Sequence, residues 1–266
     1  MWRTEKAVSR KAAGQKERMT KRFTSPAVGL LLGLALLLGF AAQPAAAAKK
    51  IPVNLRVVTY SGKIMFDRTV NTGTATIKPT SACPTLGGRT GPPRTVTGAT
   101  GLGLLYQASL KYKALRPLKI SDSDFGFGVC GIGGSMAKGE QWWSVYQNYK
   151  STSTGAEGVK LKRRDSILFF LSKTWAEPNP NLLFLKAPTK VRKGATVKVR
   201  VFEYDTAGKR SPVEGAKVKG AGALTDARGY TTLKIKGKTK LVARQAGLVP
   251  SNRVYVQVKK NGKHRK

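Results

Sequence analysis

The 266-residue sequence is poor in acid: 13 Asp and Glu stand against 49 Lys and Arg, a formal net charge of +36. It has one histidine, His264, and two cysteines, Cys83 and Cys130. Each scarcity excludes a chemistry. His264 sits in the terminal run KKNGKHRK, which has no apolar face and is expected to be solvated, so a Ser-His-Asp or Cys-His arrangement lacks its base. Two cysteines and a tail histidine do not make a zinc ligand set. No catalytic residue, metal site or cofactor is expected, and the chain reads as non-enzymatic. The excess of cations turns its long-range field toward polyanions.

Two further motifs reduce to turns. Asp122 and Asp124 in SDSD are close enough for glycosidic acid/base work or a calcium loop, but DSDFGFG lacks the further oxygen ligands, and Asp beside Ser is ordinary turn chemistry. GFGVCG spells G-x-G-x-x-G with Gly126, Gly128 and Gly131. Gly133 and Gly134 follow at once, no helix opens, and the segment reads as a glycine loop rather than a dinucleotide cradle.

The N-terminus reads as an export signal. Met1 to Thr24 carries eight Lys and Arg and two Glu, the apolar run Ala27 to Ala42 follows, and then QPAAAAKK. Basic n-region, apolar h-region and the small residues Ala46 and Ala48 predict cleavage after Ala48, with initiation at Met1 or Met19. TKRFTS offers one Arg where a twin-arginine signal has two, which favours ordinary secretion. The alternative is a single-pass anchor through residues 27–42, shorter than the roughly 20 residues a spanning helix needs. Residues 49–266 keep 41 Lys and Arg against 11 Asp and Glu, so the charge belongs to the exported part. The expected location is secreted or cell-envelope-associated. An oxidising compartment there predicts a Cys83–Cys130 disulfide, worth roughly 4 kcal/mol on a chain-entropy account.

In the remainder, VNLRVVTY (53–60) and IMFDRTV (64–70) are strands around the turn Ser61-Gly62-Lys63. Leu102, Leu104, Leu105, Ala108 and Tyr112 include helical spacings, with Arg116-Pro117 as the stop. PLKISDSDFGFGVCGIGG reads as loop with one strand at most, and residues 142–149 and 165–172 as strands. The prolines of AEPNPN (176–181) mark a linker. Beyond it TVKVRVFEY alternates Val197, Val199 and Val201 with Lys198 and Arg200, while TTLKIK alternates Leu233 and Ile235 with Lys234 and Lys236. One face goes inward and the other is cationic. Turn signals at 205–208, 220–222, 226–229 and Gly237 suit a small β-sandwich.

Trp143, Asn148, Gly155-Ala156, Leu161 and Asp165 before an apolar strand, behind a helix and FGVCGIGG, resemble a family of secreted bacterial domains of unknown function similar to the transcobalamin C-terminal domain. The resemblance covers about 53–173 and implies a β-grasp-like fold. Tyr149 and Arg164 stand where that family usually has glycine, so the hairpin turns are expected to differ. Val213-Glu214-Gly215-Ala216 and Thr225 to Thr232 resemble bacterial Ig-like and carboxypeptidase-regulatory-like modules, which are usually spacers or adhesive units. The expected fold class is mainly β: a signal (1–48), a β-grasp-like α+β domain (49–175), a linker (176–181), an Ig-like sandwich (182–258) and a basic tail (259–266).

Two binding surfaces follow. Strand alternation in WWSVYQNY turns Trp143, Val145 and Tyr149 one way, as core, and Trp142, Ser144, Tyr146 and Asn148 the other. Trp142, Tyr146 and Asn148 are the candidate contacts for a small planar ligand, a corrinoid by the transcobalamin resemblance. Lys198, Arg200, Lys234, Lys236 and Lys238 are the candidate contacts for an anionic cell-surface polymer or lipid headgroups. Charge with strand aromatics also suits nucleic acid, which export makes the less natural partner.

Overall fold

The computed structural model describes residues 50–83, 87–174 and 178–259. The signal with Ala46 and Ala48, the candidate anchor at 27–42, Ala176 and Glu177 of the linker, and His264 lie outside the described residues. The fold is mainly β with one small α+β element, as the sequence predicts.

The N-terminal half opens with the expected hairpin, β1 (Ile51–Val58) and β2 (Ile64–Thr72), followed by the short pair β3 (Ala75–Ile77) and β4 (Arg94–Val96). Helix α1 (Gly101–Lys111) starts where Thr100 Oγ1 accepts the Gly103 N–H at 3.1 Å, a side-chain N-cap that satisfies one otherwise orphaned donor. A 3-10 turn (Lys113–Leu115) leads to β5 (Leu118–Ser123), β6 (Gly126–Ile132), β7 (Ser135–Met136), β8 (Trp142–Gln147), β9 (Lys150–Ser151) and β10 (Ser166–Ser172). The main sheet runs β2-β1-β10-β8-β9, with β1 and β10 parallel, Leu55 beside Ile167. Its inner face places Val53, Leu55, Val57, Ile167 and Phe169 against Leu102, Leu104, Leu105 and Ala108 of α1. Each such fully buried side chain contributes about 1.5–3 kcal/mol.

One segment departs from expectation. PLKISDSDFGFGVCGIGG is an antiparallel hairpin of β5 and β6 with β7 at its edge, not loop. Its glycines break the apolar alternation that marks a strand. Gly131 is glycine because a Cβ there would collide with Met136 Sδ and press on Lys119. The disulfide Cys83–Cys130 forms as expected across a separation of 47 residues, tying the loop after β3 to β6.

The C-terminal half contains β11 (Leu182–Lys186), β12 (Lys190–Arg192), β13 (Thr196–Tyr204), β14 (Arg210–Pro212), β15 (Lys217–Val218), β16 (Tyr230–Lys234), β17 (Thr239–Leu241), β18 (Ala243–Arg244) and β19 (Val254–Lys259). One sheet is β11-β13-β14, with β16 on β13; another is β12-β19-β17. Their apolar faces share a core that includes Val197, Val199, Val201 and Leu233 from the first and Val191, Leu241, Val254 and Val256 from the second. Asp226 closes the turn before β16 by accepting the Arg228 and Tyr230 N–H groups. Gly229 in that turn has φ of 78°, and a Cβ would run into the Val201 carbonyl.

A third apolar cluster joins the halves. Val58, Ile64, Tyr146, Leu168 and Phe170 on the outer face of the main sheet pack with Leu182 and Val249. Polar groups stitch the same seam: Arg56 Nη1 donates to the Pro250 carbonyl at 2.9 Å, the Arg253 N–H to Asp67 Oδ2 at 2.5 Å, and Arg253 Nη2 to the Ile64 carbonyl at 2.7 Å. Asn179, in the described part of the linker, donates to Ser144 Oγ at 3.0 Å. The C-terminal half is packed onto its neighbour by these contacts, which a spacer module would not need.

Candidate functional site

The alternation read in WWSVYQNY holds from Trp142 to Gln147, where β8 ends; Tyr149, expected in the core with Trp143 and Val145, instead packs from the turn into the cluster of Tyr146, and the outcome for the second face also differs. Trp143 is 5% exposed in the N-terminal core, as expected. Tyr146 is 1% exposed, and Ser144 is buried beside it with Ser172 as hydrogen-bond partner. These two lie under the C-terminal half, so the aromatic-polar face proposed for ligand contact is closed. Burial pushes the Tyr146 hydroxyl up to about 12, which the Asn179 amide only partly opposes. Of the two candidate aromatics only Trp142, 40% exposed, remains open, beside a cleft of about 440 Å³ that Trp143, Phe127, Thr152 and Ala156 help to line.

Asn148 belongs to a turn rather than a contact surface. Asn148 and Tyr149 have φ of 51° and 69° between the paired residues Gln147 and Lys150, so both central residues of the two-residue hairpin are left-handed. Asn148 Nδ2 donates to Asp165 Oδ1 at 2.9 Å and its Oδ1 accepts the Ser166 N–H at 2.9 Å. Partial burial raises the Asp165 carboxyl, but donors from Asn148, Lys162 and Gln147 outweigh it and hold the group below the usual range. Arg164 also has positive φ, 70°. The two positions where glycine was expected thus have glycine-type backbone. A left-handed tyrosine costs about 1–2 kcal/mol. Its ring is the compensation, stacked on Tyr204 at 4.6 Å and edge-on to Phe184 at 5.3 Å, both from the C-terminal half. Tyr149 retains some surface, yet its hydroxyl is enclosed deeply enough that burial raises its pKa.

The cationic candidates separate into two groups. Lys198, Arg200 and Lys234 lie on the outward face of the β11-β13-β14-β16 sheet, with Thr196 opposite Lys234 and Arg200 opposite Tyr230. Lys236 and Lys238 are exposed in the connection from β16 to β17, where the chain crosses to the other sheet, because β16 ends at Lys234. On the outward face the cations lie over rings. Lys198 Nζ is 4.0 Å from the centre of Tyr230, Arg200 is 4.7 Å from Tyr230 and 4.5 Å from Phe202, and Arg210 is 4.6 Å from Phe202. Arg200 Nε donates to the Arg228 carbonyl at 2.9 Å, which fixes the guanidinium and leaves its terminal N–H groups for a partner. Lys186 and Pro188 complete a groove of about 420 Å³ along these residues.

Phe202, Tyr230 and Arg210 were not among the sequence candidates, although the signal is present. Phe202 and Tyr204 continue the phase of Lys198 and Arg200, and Tyr230 is in phase with Lys234. Cation-ring contacts of this kind contribute about 0.5–1 kcal/mol at exposed sites and hold long side chains in place without neutralising them. Ion pairs between described residues occur elsewhere: Arg89–Asp124, Arg94–Asp122 and Arg94–Glu157, all in the N-terminal half. Asp122 and Asp124 are thereby engaged with arginine. Among the described residues no group of three or more His, Cys, Asp or Glu is placed to hold a metal ion, and no helix is long and apolar enough to cross a membrane.

No family model matches the chain, and no curated protein matches it. Among solved structures, the chain is similar to one described as "Crystal Structure of Haptocorrin in Complex with Cbi", with 16% identity and a TM-score of 0.33 over 47% of this chain. The match spans a quarter of the haptocorrin chain, 25%, and amounts to a distant structural similarity.

Proposed function

We propose that this is an exported, non-enzymatic protein held on an anionic polymer of the cell surface by the outward face of the β11-β13-β14-β16 sheet. The observation that carries the reading is the set of cations at Lys198, Arg200 and Arg210, laid over Phe202 and Tyr230 with no carboxylate on the same strand face. Ion pairing would have cancelled these charges; ring contact keeps them positioned and available. Successive outward residues are about 7 Å apart along a strand, so the face presents a row of cations to a row of anions. Phe202 is 6% exposed and Tyr230 half-buried beneath Lys198 and Arg200, which argues against the base stacking that single-stranded nucleic acid uses.

The test is binding of the 49–266 chain to isolated cell envelopes across a salt series, with anionic lipid vesicles as a second arm. Binding that weakens steeply as salt rises supports the reading, because exposed charge contacts are screened. Binding indifferent to salt contradicts it, and binding to vesicles alone moves the partner from polymer to lipid headgroups.

A second reading rests on Trp142 at its 440 Å³ cleft, a size suited to a small planar ligand or to one edge of a larger ring such as a corrinoid. Cobalamin titration should quench tryptophan fluorescence saturably in the native protein and not in Trp142→Ala; an unquenched titration at millimolar ligand rejects it.

A further inference from the structure

The C-terminal half is cationic on both outer faces. We propose that it bridges two anionic polymer chains or surfaces at once, an inference that rests on the retention reading above and adds a second site to it. Because the inward residues of the two sheets share one core, the outward residues point away from each other. One outward set is Lys198, Arg200 and Lys234. The other is Lys190, Arg192, Lys240 and Lys259, all exposed, with the half-exposed Tyr255 directly across from Lys240.

This second face carries an unrelieved repulsion. Arg192 and Lys259 are register partners on paired strands, and β12, β17 and β19 contain no Asp or Glu. Like charges directly opposite destabilise a sheet, so folding alone gives no reason for the pair. A bound anion between them removes the repulsion. Sheets in a sandwich sit about 10 Å apart, and the side chains extend that separation beyond the roughly 8 Å over which charge is felt at physiological salt. Neutralising one face therefore leaves the other charged, and two polymer strands are held independently by one rigid body.

Latex beads coated with long-chain polyphosphate provide the test, with carboxylate-coated beads as the second anion source. Binding is measured by depletion of the 49–266 chain, and bridging by light scattering. The expected result is clumping at intermediate protein-to-bead ratios and dispersal at excess, when every bead is covered. A variant with Lys190→Ser, Arg192→Ser, Lys240→Ser and Lys259→Ser should still bind within about tenfold of the native affinity and lose clumping. The variant with Lys198→Ser, Arg200→Ser and Lys234→Ser should also lose clumping, and a single cooperative thermal unfolding transition in each variant shows that both are folded. Native protein that binds beads without clumping them overturns bridging while leaving retention intact. Clumping that survives the four-residue variant overturns the two-face arrangement. Native protein that binds no bead overturns retention, and bridging with it.

Discussion

Arg94 in the N-terminal half and the cations of β13 in the C-terminal half are used differently. In the N-terminal half Arg94 lies 4.0 Å from the Phe127 ring centre, but it also holds Asp122 and both oxygens of Glu157, and Glu157 in turn accepts the Phe127 N–H. That arginine is consumed by its own fold. In the C-terminal half, eighteen Lys and Arg stand against four Asp and Glu over residues 182–259. Three of those acids act locally: Asp205 and Asp226 accept backbone N–H groups in turns, and Glu203 accepts from Asn181 and Ser211. The cations above Phe202 and Tyr230 are positioned without being cancelled. The difference teaches that net charge alone does not identify a binding surface; what the cations rest against does.

The largest expected effect concerns whether the halves stand or fall together. Replacing Cys83 and Cys130 by serine removes a constraint worth about 4 kcal/mol on the chain-entropy account. Because the cluster of Val58, Phe170, Leu182 and Val249 joins the halves, urea denaturation of this variant should show one transition at lower midpoint. Two separate transitions would break the picture of halves fused through a core. Tyr149→Ala attacks that seam directly and should cost about 2 kcal/mol, from lost ring burial and stacking. Tyr149→Gly should cost about 1 kcal/mol less, since the left-handed backbone no longer strains. Equal losses in the two variants, read by the same denaturation, would mean that the turn carries no strain.

Arg94→Leu leaves Glu157 and Asp122 without their cation and should lower stability by about 1 kcal/mol, the upper end for exposed pairs, with polyanion binding unchanged. The smallest effect belongs to Asp67 at the seam. Burial raises its carboxyl pKa, against the pull of the Arg253 N–H and the Arg56 charge. A carboxyl whose folded pKa is raised contributes stability below its unfolded pKa and loses it as pH rises through the folded value. Asp67→Asn should therefore be slightly more stable than the native protein at neutral pH, with the gap closing as pH falls through the carboxylate range. A gap that widens on acidification would show that Arg56 and Arg253 dominate the site.

Local pattern carried much of this architecture. The hairpin of β1 and β2, the capped helix after Thr100, and the inward valines of β13 all follow from spacing and turn chemistry within a few residues. The outward phase of Lys198, Arg200 and Lys234 was legible for the same reason. What the sequence hid depends on distant contact. WWSVYQNY has two faces by alternation, but only packing of Leu182 and Val249 decides that Tyr146 is closed to solvent. Lys198 and Tyr230 meet because β13 pairs with β16, a register no local window contains. Gly128 and Gly131 disguised β6 by breaking its apolar alternation, and at Gly131 the side chains of Met136 and Lys119 come close from neighbouring strands.

The most direct measurement of the central claim compares matched charge losses in the two halves. Lys198→Ser, Arg200→Ser and Lys234→Ser form one variant; Lys78→Ser, Lys113→Ser and Arg116→Ser, exposed cations of the N-terminal half, form the other, each removing three cations from the 49–266 chain. Affinity for isolated envelopes is measured as a function of salt for both. The account expects the first variant to lose roughly tenfold or more in affinity and to flatten the log–log salt slope by about two to three units, while the second changes little. Equal losses in the two variants would contradict it, because retention would then follow total charge and not the cation-covered face of β13 and β16.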